Sequence, residues 1–228
     1  MVIGNGLLAK AFNHFADNNS VLIFASGVSN SSEQNDAEFE REKLQLLSCI
    51  EEKRKLIYFS TISIFDESLK TSKYRIHKRA MEKLIEEKFS SFIIFRLPIV
   101  VGKTQNPNTL TNFIFNKINS GEKIKVFSKA CRYLMDIDDI ANFCTKIILA
   151  EKHDNKSLNI HFNNLIHIPD LITLFEAATI KKANTEIVNE GDCVVSDNAE
   201  FNLILQQNGF SLPANYNQQL ISKYYSTH

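Results

Sequence analysis

Short apolar runs punctuate the N-terminal part of the chain: Val21-Leu22-Ile23-Phe24, Leu56-Ile57-Tyr58-Phe59 and Phe92-Ile93-Ile94-Phe95. They are continuous rather than alternating, which is the pattern of parallel strands covered on both faces. Between them the apolar period lengthens. Phe39, Leu46, Leu47 and Ile50 share one face of a helix expected from about Ala37 to Lys53. Tyr74, His77, Lys78, Met81 and Ile85 share a face of another, from about Ser72 to Phe89. Strands alternating with helices of this length predict an α/β fold with a doubly wound parallel sheet.

The opening is abrupt. Met1-Val2-Ile3 allows a very short strand before Gly4-Asn5-Gly6, and a helix is expected from there through about Asp17. Beyond Arg96 a loop holding Pro98 and Pro107 precedes a helix near 109–120 and a strand at 123–127. Helical patterns follow at 136–150 and 169–178, a strand-like stretch at 157–161, and two more helices in the polar tail from Asn198. With no repeat or low-complexity linker, one body over 1–228 is expected, the first hundred or so residues forming its core.

Composition narrows the class. The 228 residues carry 26 Lys+Arg against 26 Asp+Glu, so bulk electrostatics do not suit nucleic acid or acidic lipid. No apolar run approaches the ~20 residues of a membrane span, and the N-terminus lacks a signal-peptide pattern, so a cytoplasmic protein is expected. Cys49, Cys131, Cys144 and Cys193 stand far apart without metal-ligand spacing, which predicts reduced thiols. His14, His77, His153, His161, His167 and His228 show no ligand spacing either, and no metal is expected. The mixed charges of 38–55 read as a solvated helix face.

Three features could carry chemistry. Gly4-x-Gly6-x-x-Ala9 follows a strand and opens a helix, where glycines let backbone approach a pyrophosphate and helix N–H groups meet it; an ordinary tight turn has the same spacing. Tyr74-x-x-x-Lys78 puts a phenol and an ammonium one helical turn apart. The ammonium stabilises a phenolate, making the phenol a usable proton donor or acceptor. Thr61 ends the second strand, at the sheet edge where open α/β folds bind ligands, although a strand-end Thr can also simply cap a turn.

In order along the chain, these features resemble the extended short-chain dehydrogenase/reductase family, the NAD-dependent epimerase/dehydratase group that acts on nucleotide sugars. Phe24-Ala25-Ser26-Gly27, Phe59-Ser60-Thr61, Tyr74-Arg75-Ile76-His77-Lys78, the 95–102 segment Phe-Arg-Leu-Pro-Ile-Val-Val-Gly and the 132–140 segment around Asp136 are each similar to a segment of that family. The resemblance implies a Rossmann-like fold and NAD or NADP as cofactor. It implies Tyr74 as general acid/base, Lys78 on the nicotinamide ribose, and Thr61 on the substrate oxygen. Gly4, Gly6 and Leu7 would lie along the pyrophosphate, with Ser26 and Pro98 also at the cofactor, and Arg132 on a substrate phosphate or in a surface salt bridge. It implies a reductase or epimerase of nucleotide-linked keto sugars, in bacterial surface-polysaccharide assembly, with a homodimer through the helices at about 37–53 and 72–89. The chain also departs from the family. About a dozen residues separate Gly6 from Val21, where the family has two more strands, so the sheet is expected to be reduced in strand number. The acid expected ~20 residues after the glycines is missing, and Glu33 and Asp36 fall in a polar loop. A family member that binds cofactor weakly and serves as a binding or regulatory module is the alternative expectation.

Overall fold

The computed structural model of the protein describes residues 1–150 and 152–226, so His228 lies outside the described residues. In chain order the elements are β1 (Val2–Ile3), α1 (Leu7–Ala11), β2 (Val21–Phe24), α2 (Asp36–Leu47), β3 (Lys55–Thr61), α3 (Lys73–Lys88), β4 (Phe92–Leu97), β5 (Ile99–Val101), α4 (Leu110–Ser120) and β6 (Ile124–Phe127). They continue as β7 (Cys131–Arg132), β8 (Leu134–Asp136), α5 (Ile137–Leu149), β9 (Lys156–Asn159), β10 (Ile166–His167), α6 (Ile168–Thr179), β11 (Thr185–Val188), α7 (Ala199–Gln207) and α8 (Tyr216–Tyr225). Two compact units result: residues 1–64, 69–97 and 137–160, and residues 65–68, 98–136 and 161–228.

The first unit is built on a five-stranded parallel sheet in the order β1-β2-β3-β4-β9. Its register sets Leu22 beside Leu56, Ile57 beside Ile93 and Thr61 beside Leu97. Because successive side chains point to opposite faces, each apolar run feeds two cores. On one face Leu22, Phe24, Leu56, Tyr58 and Ile94 pack with Leu46 of α2 and Met81 and Ile85 of α3. On the other, Phe12 packs on Phe59 at 5.0 Å between ring centroids and Phe59 on Phe95 at 6.2 Å. There α1 lies against α5, with the His14 ring 3.0 Å from Thr145 Oγ1. Helices on both faces make the sheet doubly wound, as the continuous runs predict.

Local chemistry sets the helix ends. Asn35 caps α2 and Ser72 caps α3, each side chain accepting a backbone N–H of the first turn. Two helices are shorter than their periodicity predicts. The first stops at Ala11, and a 3-10 turn at Asn13–Phe15 replaces its expected continuation to Asp17. The tighter turn brings Phe12 and Phe15, both buried, to one side. The second, α2, ends at Leu47, and Ile50 reaches the core from a run of turns.

In the second unit β5 pairs with β8, β6 with β11 and β7 with β10. Cys131 on β7 faces His167 in register and bridges to Cys193, and the two cysteines form a disulfide across a separation of 62 residues. This corrects the expectation of reduced thiols for that pair; only the fold brings so distant a pair together. Cys49 and Cys144 are free and buried. The two sulfurs and the His167 ring lie within 4.8 Å of one another, but the disulfide bond consumes the thiolates a metal would need. His161 is a satisfied core histidine, stacked on Tyr133 at 4.0 Å and paired with Ser196 Oγ at 2.8 Å. No described helix is long and apolar enough to cross a membrane.

A crosslink closing a loop of that length stabilises chiefly by restricting the unfolded chain. Reduction, or Cys193→Ser, is expected to lower stability by about 2–4 kcal/mol, measured by urea unfolding with and without reductant. An unchanged midpoint on reduction would show that the disulfide contributes nothing.

Candidate functional site

The glycine turn is a tight approach of two backbones. Gly4 has φ +121°, and a Cβ there would press into the Ala25 carbonyl and sit 3.1 Å from Ser26 N. Ala25 N donates to Ile3 O at 2.8 Å, holding the 25–27 segment against the turn. Gly6 is the N-cap of α1, and the space a Cβ would take beside it is open. Leu7 begins α1, so its N–H is among those with no intrahelical partner. These features fit a pyrophosphate, although a helix of only five residues offers little dipole. Ser26 accepts bonds from Arg41 at its carbonyl and at Oγ, both 3.2 Å.

Thr61 and Tyr74 come together as the sequence predicts. Thr61 ends β3, its Oγ1 accepts Ser63 N–H at 3.1 Å, and its hydroxyl hydrogen-bonds the Tyr74 phenol. Tyr74 sits in the first turn of α3, packed on Val28 and Phe39. Lys78 follows one turn later, with Nζ 5.9 Å from the centroid of the Tyr74 ring. The three groups therefore lie together in one unit.

The surprise is what holds Lys78. Its Nζ donates to Glu42 Oε1 at 2.9 Å and to Tyr58 Oη at 3.1 Å, with the side chain only 3% exposed. Glu42, on α2, is 0% exposed. Tyr58 also donates to Oε1 at 2.6 Å, while Oε2 accepts Val28 N–H at 2.7 Å and pairs with His77 Nε2 at 3.0 Å. Four donors thus use the carboxylate's four acceptor sites. A buried charge this well paired is tolerated where a lone one is not. Gly27 covers the pair: a Cβ there would lie 2.7 Å from Lys78 Nζ and 3.0 Å from Glu42 Oε1.

The electrostatics follow from that pairing. Burial alone pushes the Glu42 carboxyl up, but the Lys78 charge with the His77, Tyr58 and Val28 hydrogen bonds outweighs it and holds the acid far below the usual carboxylate range. Burial pushes the Tyr74 phenol up; Lys78 and Thr61 pull it down, and Glu42 adds to the rise, leaving it above the ordinary tyrosine value. Tyr58 is pushed much higher by burial and the Glu42 charge. Lys78 does sit beside Tyr74, but its charge is shared with a carboxylate.

A second, partly buried pair lies one turn further along α3. Arg96 on β4 donates to Glu82 through NH2 at 2.6 Å and through Nε at 3.1 Å to each oxygen, and Ser60 Oγ donates to Glu82 at 2.5 Å. Of the two acids expected in a polar loop, Glu33 accepts from Gln34 N and Asn35 N, whereas Asp36 is corrected to the first residue of α2, where it pairs with Lys73 of α3 at 2.8 Å.

Pro98 and Arg132 belong to the second unit. Pro98 joins β4 to β5, and the next residue's N–H donates to Tyr133 O at 3.1 Å. Arg132 meets the buried Asp66 at 3.1 Å and donates to the carbonyls of Cys131 and Asp192 at 2.8 and 2.9 Å, so of its two expected roles the salt bridge is present.

Glu42, Tyr58 and His77 are members of the site that the sequence reading did not assign to it. The expectation that the charges of 38–55 form a solvated face is corrected at Glu42. A signal was available, since Glu42 lies three residues after Phe39 and four before Leu46, on the apolar side of α2.

A model of a family described as NAD dependent epimerase/dehydratase matches residues 5–162. No curated protein matches the sequence. Among solved structures, a UDP-glucuronic acid 4-epimerase from Bacillus cereus in complex with NAD superposes with a TM-score of 0.72 at 18% identity, covering 94% of this chain and 75% of that one. A UDP-N-acetylglucosamine 4-epimerase from Methanobrevibacter ruminantium in complex with UDP-N-acetylmuramic acid gives 0.69 at 16% identity, with 98% and 81% covered. The Thermus thermophilus UDP-glucose 4-epimerase in complex with NAD gives 0.68 at 14%, with 97% and 83% covered.

Removing the Glu42 carboxylate strands Lys78 and Tyr58, so Glu42→Ala is expected to cost about 3–5 kcal/mol in urea unfolding. The folded pKa of Glu42 lies below its unfolded value near 4.5, so its contribution is complete above that pH and is lost as the pH falls toward the folded value. Wild-type stability should therefore drop more steeply than that of Glu42→Gln on acidification from pH ~5, where unfolded carboxylates begin to protonate. Parallel curves for the two proteins would contradict this.

Proposed function

Since the chain belongs to the NAD dependent epimerase/dehydratase family, we propose that it is an NAD- or NADP-dependent oxidoreductase or epimerase of the short-chain dehydrogenase/reductase type, acting on a nucleotide-linked keto sugar. The observation that carries this reading is the Thr61 hydroxyl bonded to the Tyr74 phenol at the end of β3, with the Lys78 ammonium 5.9 Å from the centre of the Tyr74 ring. The nicotinamide, when bound, supplies or receives hydride at the sugar carbon. Tyr74 Oη passes the proton to or from the attached oxygen, Thr61 Oγ1 hydrogen-bonds that oxygen and steadies its charge, and the Lys78 charge lowers the cost of the phenolate. Gly4, Gly6 and Leu7 would hold the pyrophosphate, with Ser26 and Pro98 bordering the cofactor. The remaining N–H groups of Arg132 would meet a substrate phosphate.

The similar solved proteins are UDP-sugar 4-epimerases, which makes a UDP-linked sugar the substrate class we favour. We place the protein in the cytoplasm and in surface-polysaccharide assembly, working as one body with its cofactor core in the first hundred or so residues and its substrate part beyond. We also propose a homodimer through α2 and α3. Leu44 and Ile76 support it, being 57% and 56% exposed on those two helices.

A second reading, a weakly cofactor-binding module without turnover, is favoured by two observations. Lys78 is already paired with Glu42. Among the described residues no strand lies beyond β1 to shape an adenosine pocket.

NADH fluorescence titration separates the two readings. Saturable binding is expected, with Tyr74→Phe folding normally and losing at least about 100-fold in turnover. No saturation at millimolar NADH or NADPH would transfer the case to the second reading, and full activity in Tyr74→Phe would remove the phenol from the reaction. For the dimer, light scattering should give twice the chain mass, falling to one chain mass in the Leu44→Glu/Ile76→Glu double variant. A wild-type monomer at micromolar concentration would refute the assembly.

A further inference from the structure

Lys78 has three N–H donors, and two of them are spent inside the protein, on Glu42 and Tyr58. In the reading above, the same ammonium must serve a ribose diol and lower the cost of a Tyr74 phenolate. It cannot do this fully while its charge is matched by a carboxylate at 2.9 Å. Glu42 is no incidental neighbour. It comes from a different helix, is wholly buried, has all four acceptor sites filled, and lies against Gly27, where a Cβ would crowd the pair.

We propose that Glu42 is a positioning residue of this site: a built-in counter-ion that keeps the Lys78 ammonium in the network beneath Gly27, so that Lys78 reaches a cofactor ribose or supports the Tyr74 phenolate only as its bond to Glu42 loosens. This rests on the reading of Tyr74 and Lys78 as a proton-handling pair. The groups bonded to the carboxylate are Tyr58 from β3, His77 and Lys78 from α3, and the Val28 N–H; the Glu42 charge is also felt at Tyr74, and the Glu82 charge at Tyr58.

Glu42 therefore acts in two ways. As a competing acceptor it weakens cofactor binding. As a nearby negative charge it opposes a second one on Tyr74. Glu42→Gln nearly preserves shape and removes the charge, whereas Glu42→Asp keeps the charge and shortens the reach.

The first measurement needs no cofactor. Ionisation of Tyr74 is followed in protein carrying 13C-labelled tyrosine, its resonance assigned by its absence in Tyr74→Phe. In Glu42→Gln the midpoint is expected to fall, because the Glu42 charge that raises the phenol is gone and the Lys78 charge pulls it down unopposed. In Glu42→Asp it should stay near wild type. An unmoved midpoint in a folded Glu42→Gln protein overturns the proposal.

The second measurement reads Glu42 in the wild-type protein, so its main readout does not depend on Glu42→Gln folding. Wild-type protein with 13C-labelled glutamate is titrated with NADH. The Glu42 carboxyl resonance, assigned by its absence in Glu42→Asp, should move with saturation, and Glu42→Gln should bind NADH on the order of ten-fold tighter, the worth of one charge-assisted bond no longer broken. A carboxyl resonance that stays fixed while NADH saturates elsewhere on the protein overturns the competition. Absence of any NADH binding would sink the functional reading and the competition with it, while the Tyr74 titration still decides whether Glu42 governs the charge of the site.

Discussion

A carboxylate with no exposure to water is the constraint around which the first unit is arranged. Stripping water from such an ion is strongly unfavourable, and an ammonium at 2.9 Å offsets that cost only when the remaining lone pairs are also used. Here they are used by a phenol from β3, an imidazole from α3 and a main-chain N–H from the segment after β2. One side chain thus links two helices, a strand and a turn. The groups it links are neighbours of the Thr61–Tyr74 pair, so the stability of the unit and the electrostatics of that corner depend on the same few atoms.

Helix α3 is fastened twice, at Lys78 through Glu42 and at Glu82 through Arg96 and Ser60. The two anchors stand four residues apart and face the same way as Met81 and Ile85, which sit in the core. Tyr74 is the next turn outward along that stripe. Its phenol is therefore positioned by a helix already fixed in rotation and height, and the strand-end Thr61 meets it there. Fixed placement of this kind is what proton transfer at a defined atom requires.

Much of this was legible in the linear sequence, for identifiable reasons. The runs at 21–24, 56–59 and 92–95 are apolar at every position because both faces of the sheet are covered, and the spacing from Tyr74 to Lys78 is one helical turn. The glycine turn and the strand-end Thr61 were readable for similar local reasons. What escaped was non-local. The Cys131–Cys193 pairing joins positions 62 residues apart through strands too short to show a period. The burial of Glu42 was hidden by its charge, although its spacing from Phe39 and Leu46 placed it inside. The ends of α1 and α2 depended on where Phe12, Phe15 and Ile50 had to go.

The strand order carries the last consequence. In a doubly wound nucleotide fold the ligand crevice lies where the order of strands reverses. Here the parallel sheet runs β1-β2-β3-β4-β9 in a single direction, with β1 at its margin. A cofactor laid along the Gly4–Gly6 turn, as proposed, would find backbone for its pyrophosphate and the Thr61–Tyr74 corner for its reactive ring, but among the described residues no strand beside β1 to hold its adenosine. In the proposed reading the nicotinamide side would meet Lys78, whose ammonium Glu42 already engages. A shortened sheet and a lysine already bonded to Glu42 would both weaken the hold on a cofactor placed as proposed.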